Sequence, residues 1–399
     1  MKRFFAATIL LAMAVIGLIL PMPGAAAGQE AAAIAFVEAN KDAIIKDWVE
    51  LVKIPGKSAQ EQARTAWVEA KFREAGLADV KVDAVGNVSG FLAGAPGAPT
   101  VMIAAHMDTV FDNSTSLTPK FEGGKMHVPA AGDNTPSVVG LVWLAKAIKA
   151  AGTPASVNLL LVATVQEEIG LKGMSYYMDH MQSKPDMVIS VDGGVGAVTA
   201  GALGIKWIKA IFTTAAGHTL SSTGKPSATK SLAAGITAAY QYQADQTPKI
   251  YMNCGVIGGG TVPNAISGEA WTTIDMRSQD AAELQKLFDN VTGAMAKAAK
   301  DTGAEFKYEW MNDLPAGVMP GAADHKLTTT AVAVLKELGF NPTVGYAGAT
   351  DANVAISKGV NTISIGMVKA GNGHSESEWA EVDSIVTGMK QLVMIVSRL

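Results

Sequence analysis

Histidine and acidic side chains follow several apolar runs of this sequence, at points where a buried strand would end. Residues 100–105 carry no charge and read as a strand buried on both faces, with His106 at its carboxyl end. Asp108 follows two residues later, where its carboxylate can accept the imidazole N–H that is not used for ligation. Because open α/β sheets bind ligands beyond the carboxyl ends of their strands, this pair indicates a candidate catalytic site.

Other predicted strands lead to the same types of side chain. These are Glu167 and Glu168 after residues 157–164, Asp192 after residues 186–191, and His374 beyond residues 362–366. Adjacent carboxylates at the end of a buried strand are costly unless a cation neutralises them. Chance would rarely place all of these groups at strand ends, so the pattern favours a metal site.

Asp133 lies in a loop before the helix predicted over residues 137–151. An aspartate in this position commonly caps a helix, and the alternative is that it completes the metal site. Cys254 is the only cysteine, which excludes an intramolecular disulfide and a thiolate metal cage.

Two imidazoles and several carboxylates suit Zn²⁺ in a hydrolytic site, and Mn²⁺ or Co²⁺ would also be accepted. The carboxylates outnumber the ligands that one zinc ion needs, which favours two ions sharing a carboxylate. Such a pair activates a water and polarises a scissile carbonyl. A spare carboxylate would take the proton of that water and pass it to the leaving amine.

The first 27 residues have the pattern of a secretory signal peptide. A basic start, an apolar run to about Leu20 and small residues up to Ala27 are typical of a cleaved leader. A retained anchor is the alternative, although the run is short for a bilayer span. We therefore expect an exported protein, periplasmic or secreted, with no stable membrane association after cleavage.

Charge and length limit the remaining possibilities. With 32 Lys and Arg against 36 Asp and Glu the formal charge is −4, and no basic block is present. This argues against a nucleic-acid partner. The 399 residues are too many for one ordinary core, so at least two domains are expected.

The elements that must position these residues form an α/β fold, a mixed sheet flanked by helices. Residues 111–131 read as a loop. Between residues 205 and 313 the pattern changes to β-α-β-β-α-β, which is the order of the ferredoxin-like α+β unit. The predicted organisation is a signal peptide (1–27), a catalytic domain in two parts (28–204 and 314–399), and an inserted domain (205–313).

Taken together, the motifs resemble the ordered set of the co-catalytic dizinc exopeptidases and deacylases. That family includes peptidase T, glutamate carboxypeptidase, aminoacylase and succinyl-diaminopimelate desuccinylase. The resemblance covers essentially the whole chain after the leader, including the inserted domain. The motifs are His106-Met-Asp108, Gly132-Asp133-Asn134, Glu167-Glu168-x-Gly170-x-x-Gly173, Asp192 and His374.

The resemblance implies a role for each of these residues. His106 and Asp192 would hold one zinc ion, Glu168 and His374 the other, and Asp133 would bridge them. Glu167 would be the general base, and Asp108 would orient His106. The peptide bond after Asp133 is often cis in the family. Many relatives continue with Asp-Lys or Met-Lys, whereas this chain reads Asn-Thr-Pro, which puts the local loop in doubt.

The inserted domain resembles the family's lid, which often mediates dimerisation, so a homodimer is possible. His218 occupies the position of a lid histidine that stabilises the tetrahedral oxyanion, often in the partner subunit's site. Asn264 and Arg277 match lid positions that hold the substrate backbone or its terminal carboxylate. Without the resemblance, these would be an ordinary surface histidine, a turn asparagine and a strand-edge arginine.

The residue type at position 192 bears on the substrate. In the family, Asp at this position tends to accompany aminopeptidases, whereas Glu accompanies carboxypeptidases and deacylases. This favours an aminopeptidase acting on short peptides. A carboxypeptidase or N-acyl-amino-acid amidohydrolase on the same scaffold is the alternative. A more remote one is an exported binding protein that lost catalysis, although Glu167, the base such a protein would lack, is present.

Overall fold

The computed structural model describes residues 23–152, 156–242 and 250–399. The predicted signal peptide lies almost entirely outside these residues, and its cleavage stays a prediction. Within the described ranges, no helix combines the length and apolar character needed to cross a membrane.

Helices and strands alternate along most of the chain, as expected of an α/β fold. The helices are α1 (Pro23–Ala39), α2 (Lys41–Val52), α3 (Gln62–Glu74), α4 (Thr135–Ala150), α5 (Lys172–His180), α6 (Ala228–Ala239), α7 (Ala281–Thr302), α8 (Lys326–Glu337), α9 (Ala352–Ser357) and α10 (Ser384–Arg398).

The strands range from two to ten residues. They are β1 (Ala78–Val82), β2 (Val88–Leu92), β3 (Thr100–His106), β4 (Lys120–Glu122), β5 (Lys125–His127), β6 (Asn158–Thr164), β7 (Met187–Val191), β8 (Val198–Thr199), β9 (Gly204–Thr213), β10 (Gly217–His218), β11 (Ile250–Gly259), β12 (Ala265–Ile266), β13 (Glu269–Ser278), β14 (Glu305–Leu314), β15 (Val344–Gly345), β16 (Asn361–Ile365), β17 (Ala370–Gly371) and β18 (Trp379–Glu381).

The central sheet has the strand order β1-β2-β6-β3-β7-β16-β8-β15. The four middle strands, β6, β3, β7 and β16, are parallel neighbours, whereas β1, β2 and β8 introduce antiparallel pairs. The predicted mixed sheet is therefore confirmed. Since parallel strands end at the same edge, the groups that follow β3, β6, β7 and β16 are brought to one side of the sheet.

Strand β3 is buried on both faces, which explains its uninterrupted apolar sequence. Val101, Ile103 and Ala105 pack toward one core, and Met102 and Ala104 pack toward another on the opposite face. Helices α1, α2, α4 and α10 contribute to the first core, and α5 and α9 contribute to the second. Helix α4 contacts α1, α2, α10 and β3, so it is buried on nearly every side.

The inserted module runs from β9 to β14; its four long strands and two helices follow the predicted β-α-β-β-α-β order, and the short strands β10 and β12 form a separate pair. Its sheet is antiparallel with the order β11-β13-β9-β14, and α6 and α7 pack on one face. This is the strand arrangement of the ferredoxin-like unit. Whether the module acts as a lid or a dimerisation surface stays a prediction.

One buried side chain joins the two segments that connect the module to the rest of the chain. Asn353, at the start of α9, is fully buried. Its Nδ2 donates to the carbonyls of Leu203 at 2.9 Å and Pro315 at 3.0 Å, the residues that directly flank the module. The exit and the re-entry of the chain are therefore held at one point.

The segment predicted as a loop over residues 111–131 contains a hairpin. Strands β4 and β5 pair around Gly123 and Gly124, both in the left-handed region, and β5 pairs with β18 to give the order β17-β18-β5-β4. The sequence did not predict these strands because three residues are too few to show an alternation of apolar and polar residues. Their partners, β17 and β18, flank the loop that carries His374.

Candidate metal centre

The first half of the site is an imidazole and a carboxylate at the end of β3. His106 is 2% exposed, and its Nε2 lies 3.0 Å from Asp133 Oδ1 and 3.8 Å from Asp192 Oδ2. Asp192 follows β7 directly, and its N–H donates to the carbonyl of Ile365 at the end of β16. Three of the predicted ligands thus meet where neighbouring strands end.

The second half shares Asp133 with the first. His374 Nε2 lies 3.1 Å from Asp133 Oδ2 and 3.1 Å from Glu168 Oε2. One oxygen of Asp133 therefore faces each imidazole. Potential ligand atoms of His106, Asp133 and Glu168 all lie within 4.8 Å of one another. This is the arrangement expected of a carboxylate that bridges two cation positions.

The cluster holds more carboxylate charge than its two imidazoles neutralise. Burial raises the pKa of Glu168 to about 7 and the pKa of Asp192 to about 6. Burial also raises the pKa of Glu167 well above its ordinary value. Burial would raise the pKa of Asp133 too, but hydrogen bonds from the two imidazoles outweigh it and hold that pKa below its usual range. A bound dication would reverse the upward shifts by favouring the charged carboxylates.

The residues present fit a divalent cation. Glu168 Oε1 is buried and has no hydrogen-bond partner among the described residues, although buried polar atoms are nearly always paired. Nitrogen and oxygen donors without a thiolate are a ligand set typical of hydrolytic zinc sites, and also accept manganese or cobalt.

Asp108 supports both the imidazole of His106 and the acidic loop, which is residues 165–171 between β6 and α5. Its carboxylate lies 3.4 Å from His106 Nδ1, which also lies 3.2 Å from the Asp108 carbonyl. The same carboxylate accepts hydrogen bonds from the backbone N–H groups of Glu167 at 2.9 Å and Glu168 at 3.2 Å. Ser58 Oγ donates to it at 2.7 Å. The orienting role of Asp108 stays a prediction.

The peptide bond between Asp133 and Asn134 is cis, as the resemblance implies. Asn134 Nδ2 donates to the carbonyl of Val191 at 2.8 Å, which links this loop to the end of β7. Thr135, where the sequence departs from many relatives, donates to the carbonyl of Ala130 and accepts from Trp48 Nε1. The departure therefore leaves the loop firmly bonded.

The sequence also matches a family model, described as peptidase family M20/M25/M40, over residues 102–398. The match covers well over half of the chain. The chain belongs to peptidase family M20/M25/M40. The resemblance to the dizinc exopeptidases and deacylases is thereby confirmed at the level of the family.

Solved structures with the same fold include several M20 peptidases. Aminopeptidase PepT from Bacillus cereus has a TM-score of 0.78 at 21% identity, and a tripeptidase from Staphylococcus aureus has 0.76 at 21%. The YXEP protein of Bacillus subtilis, described as a dinuclear metal binding peptidase from the M20 family, has 0.69 at 14%. Each alignment covers 90% of this chain and 98% of the other.

A curated relative is matched over a shorter stretch. The Escherichia coli protein YgeY, described as uncharacterized, is 27% identical over 155 residues. This stretch is 36% of the present chain and 37% of YgeY, so the match spans little more than a third of that relative's length.

In this member of the M20 family, four successive backbone N–H groups of the acidic loop are bonded to side chains from elsewhere. Those of Glu167 and Glu168 bond to Asp108, as described. The N–H of Val165 donates to Asn87 Oδ1 at 3.0 Å, and that of Gln166 donates to Glu61 Oε1 at 3.0 Å. Asn87 Nδ2 also donates to the carbonyl of Gly173, so it joins both ends of the loop. The sequence prediction missed Asn87 and Glu61.

Glu378 supports Asp133 in a similar way and was also missed. It is 1% exposed, and its carboxylate accepts hydrogen bonds from the N–H groups of Ala130, Gly132 and Asp133 at 2.7–2.9 Å. Burial raises its pKa to about 7. Nothing in the sequence Ser375-Glu-Ser-Glu378 distinguishes it from the exposed Glu376.

Asp351 is a further buried carboxylate near the site. It accepts a hydrogen bond from Thr164, at the end of β6, while its Oδ1 has no hydrogen-bond partner within the described ranges. Burial raises its pKa to about 7. Its charge, with that of Asp192, contributes to the raised pKa of Glu167, so these three carboxylates lie near one another. An acid at the start of a short helix gave no signal of this burial.

The three predicted lid residues lie on the module. His218 in β10 is exposed and pairs with Ala265 in β12, beside Asn264. Arg277 Nε donates to the carboxylate of Asp275 on the same strand. Across the described ranges, none of the three makes a hydrogen bond or an ion pair with the metal-ligand cluster.

Proposed function

We propose that this chain hydrolyses the amide bonds of short peptides with two divalent cations, most naturally Zn²⁺. The observation that carries the proposal is Asp133, whose two oxygens face His106 and His374. Asp192 would join His106 at one ion, and Glu168 would join His374 at the other.

Bound cations of this kind supply a hydroxide-like nucleophile at neutral pH and a polarised carbonyl. The side chains of the protein would do the rest. Glu167, buried and not among the proposed ligands, would accept a proton from the attacking water and pass it to the leaving amine. Its raised pKa suits both steps, because the carboxylate must accept the proton of the water and then donate it to the amine. Asp108 would fix the orientation of His106.

Among amide hydrolases, we favour an aminopeptidase. The ligand at position 192 is an aspartate, and two proteins of similar fold are described as an aminopeptidase and a tripeptidase. A carboxypeptidase or an N-acyl-amino-acid amidohydrolase would use the same cations and the same base. The difference lies in which end of the peptide the site accepts.

The module would complete the site. We assign His218 to the oxyanion and Asn264 and Arg277 to the substrate backbone or its carboxylate. A homodimer through the module would allow His218 to serve the partner subunit's site. Export to the periplasm or the exterior remains part of the proposal.

The test is cleavage of a tripeptide in three forms by the zinc-loaded chain without its leader. One form has free ends, one an acetylated amino end and one an amidated carboxyl end. An aminopeptidase cleaves the first and third and releases the amino-terminal residue. Cleavage of the acetylated form would instead support the carboxypeptidase or amidohydrolase, and cleavage of none would refute the proposed function.

A further inference from the structure

The loop that carries the proposed base contains a residue in an unfavourable backbone conformation. Gln166 directly precedes Glu167 and has a φ of 55°, in the left-handed region that residues with a Cβ adopt at a cost. Its N–H donates to Glu61 Oε1 at 3.0 Å. The same oxygen accepts from the N–H of Ala59 at 2.9 Å. One carboxylate thus ties this backbone to the segment before α3.

The Glu61 side chain is buried next to the loop that carries Glu167. It is 3% exposed, and among the described residues it forms no hydrogen bond or ion pair with the proposed metal ligands. Arg64, three residues further along the chain, is fully buried, which lowers the pKa of its guanidinium to about 10, while the charges of Asp108 and Glu61 oppose this shift. Arg64 donates to the carbonyls of Ile54 and Met107, so the same region also holds the turn after His106.

The spacing of Ser58 and Glu61 is that of a capping box, S/T-x-x-E, which normally satisfies the first N–H groups of a helix. Here neither side chain caps α3. Ser58 Oγ donates to Asp108, and Glu61 accepts from Gln166. Ser58 therefore bonds to Asp108, and Glu61 bonds to the backbone next to Glu167, instead of to the first turn of α3.

We propose that Glu61 is a positioning residue for the hydrolytic reaction. By holding the left-handed Gln166 in place, it fixes the backbone from which Glu167 reaches the attacking water. The inference rests on the proposed function, because it assigns Glu61 a role through the base. A displacement of about 1 Å at a reacting group can cost about a hundredfold in rate.

The test compares Glu61→Gln, Glu61→Asp and Glu61→Ala in the full metal-loaded chain. Glutamine keeps an acceptor oxygen at the same reach, whereas aspartate keeps the charge but is one methylene shorter. We expect E61Q to retain kcat within about threefold. E61D and E61A should lower kcat by about ten- to a hundredfold, with KM within about twofold and the bound metal unchanged.

Amide hydrogen exchange of the segment around Gln166 gives a readout that does not depend on activity. Exchange should be faster in E61D and E61A than in the unaltered chain and E61Q. If E61A does not fold, E61D and E61Q decide the question. The inference is overturned if kcat is unchanged where exchange is faster, if E61Q loses as much kcat as E61D, or if metal loss accounts for the defect. An unaltered chain that cleaves no peptide would refute the proposed function instead.

Discussion

The metal-ligand edge of the central sheet and the inserted module differ in how they hold their predicted functional residues. At the sheet edge, His106 is nearly inaccessible, and the backbones of Asp133 and Glu167 donate to buried carboxylates. On the module, His218 is exposed, and among the described residues its ring accepts a hydrogen bond only from the nearby N–H of Leu220. The groups of the sheet edge are thus held by contacts across the central-sheet domain, whereas His218 and Arg277 bond, among the described residues, to near neighbours in the sequence.

The largest effect is expected at the base. Replacing Glu167 with Ala should lower kcat by about 10³- to 10⁴-fold, because no other group is assigned to take the proton of the attacking water. Bound metal should stay at the level of the unaltered chain, measured by elemental analysis beside the kinetics. A variant that loses its metal together with its activity would instead identify Glu167 as a ligand.

A smaller loss is expected on the module. His218→Ala should lower kcat by about a hundredfold without changing bound metal, since it removes one donor to the developing oxyanion. Mixing H218A with E167A subunits sharpens the comparison. Recovery of activity in the mixture would place His218 in the partner subunit's site, and no recovery would place it in its own.

Glu378 provides a stability test of the sheet edge. Glu378→Ala leaves three backbone N–H groups without their acceptor and should lower the free energy of unfolding by about 3 kcal/mol, measured by urea denaturation of the metal-free chain. Glu376→Ala, two residues earlier and exposed, is the matched control and should change it by less than about 0.5 kcal/mol. Equal effects of the two variants would contradict the support assigned to Glu378.

The last prediction concerns pH. The hydrogen bond to Asp133 raises the pKa of His374 from 6.5 to about 9. The protonated ring therefore stabilises the metal-free fold fully below pH 6.5, and this contribution is lost as the pH rises through about 9. Because metal binding must displace that proton, apparent affinity for Zn²⁺ should rise with pH in this window, by about tenfold per pH unit for each imidazole that loses a proton, and the raised pKa of His106 adds to the effect. Calorimetric titration with Zn²⁺ at a series of pH values measures this affinity. An affinity that does not change with pH would exclude His374 as a ligand.

The sheet edge could be predicted from the sequence because its signals are local. Every ligand except Asp133 lies at or beyond the end of a buried apolar strand, and parallel strands bring their ends together. Glu61, Asn87, Glu378 and Asp351 could not be predicted in this way. Their importance comes from contacts with residues remote in sequence, such as that between Glu378 and Asp133, and each has an ordinary local sequence. The hairpin of β4 and β5 was missed for the same reason, since its sheet is completed by residues near the end of the chain.

The hydrogen bonds of Asn353 to Leu203 and Pro315 have an evolutionary consequence. The buried carboxamide of Asn353 holds together the two points at which the chain leaves and re-enters the central-sheet domain. The ferredoxin-like module is therefore inserted between two adjacent points of that domain. Such a unit can be lost, exchanged or diversified without rethreading the central sheet. The substrate range of a lineage can therefore change through the module while the metal-ligand edge of the central sheet stays the same.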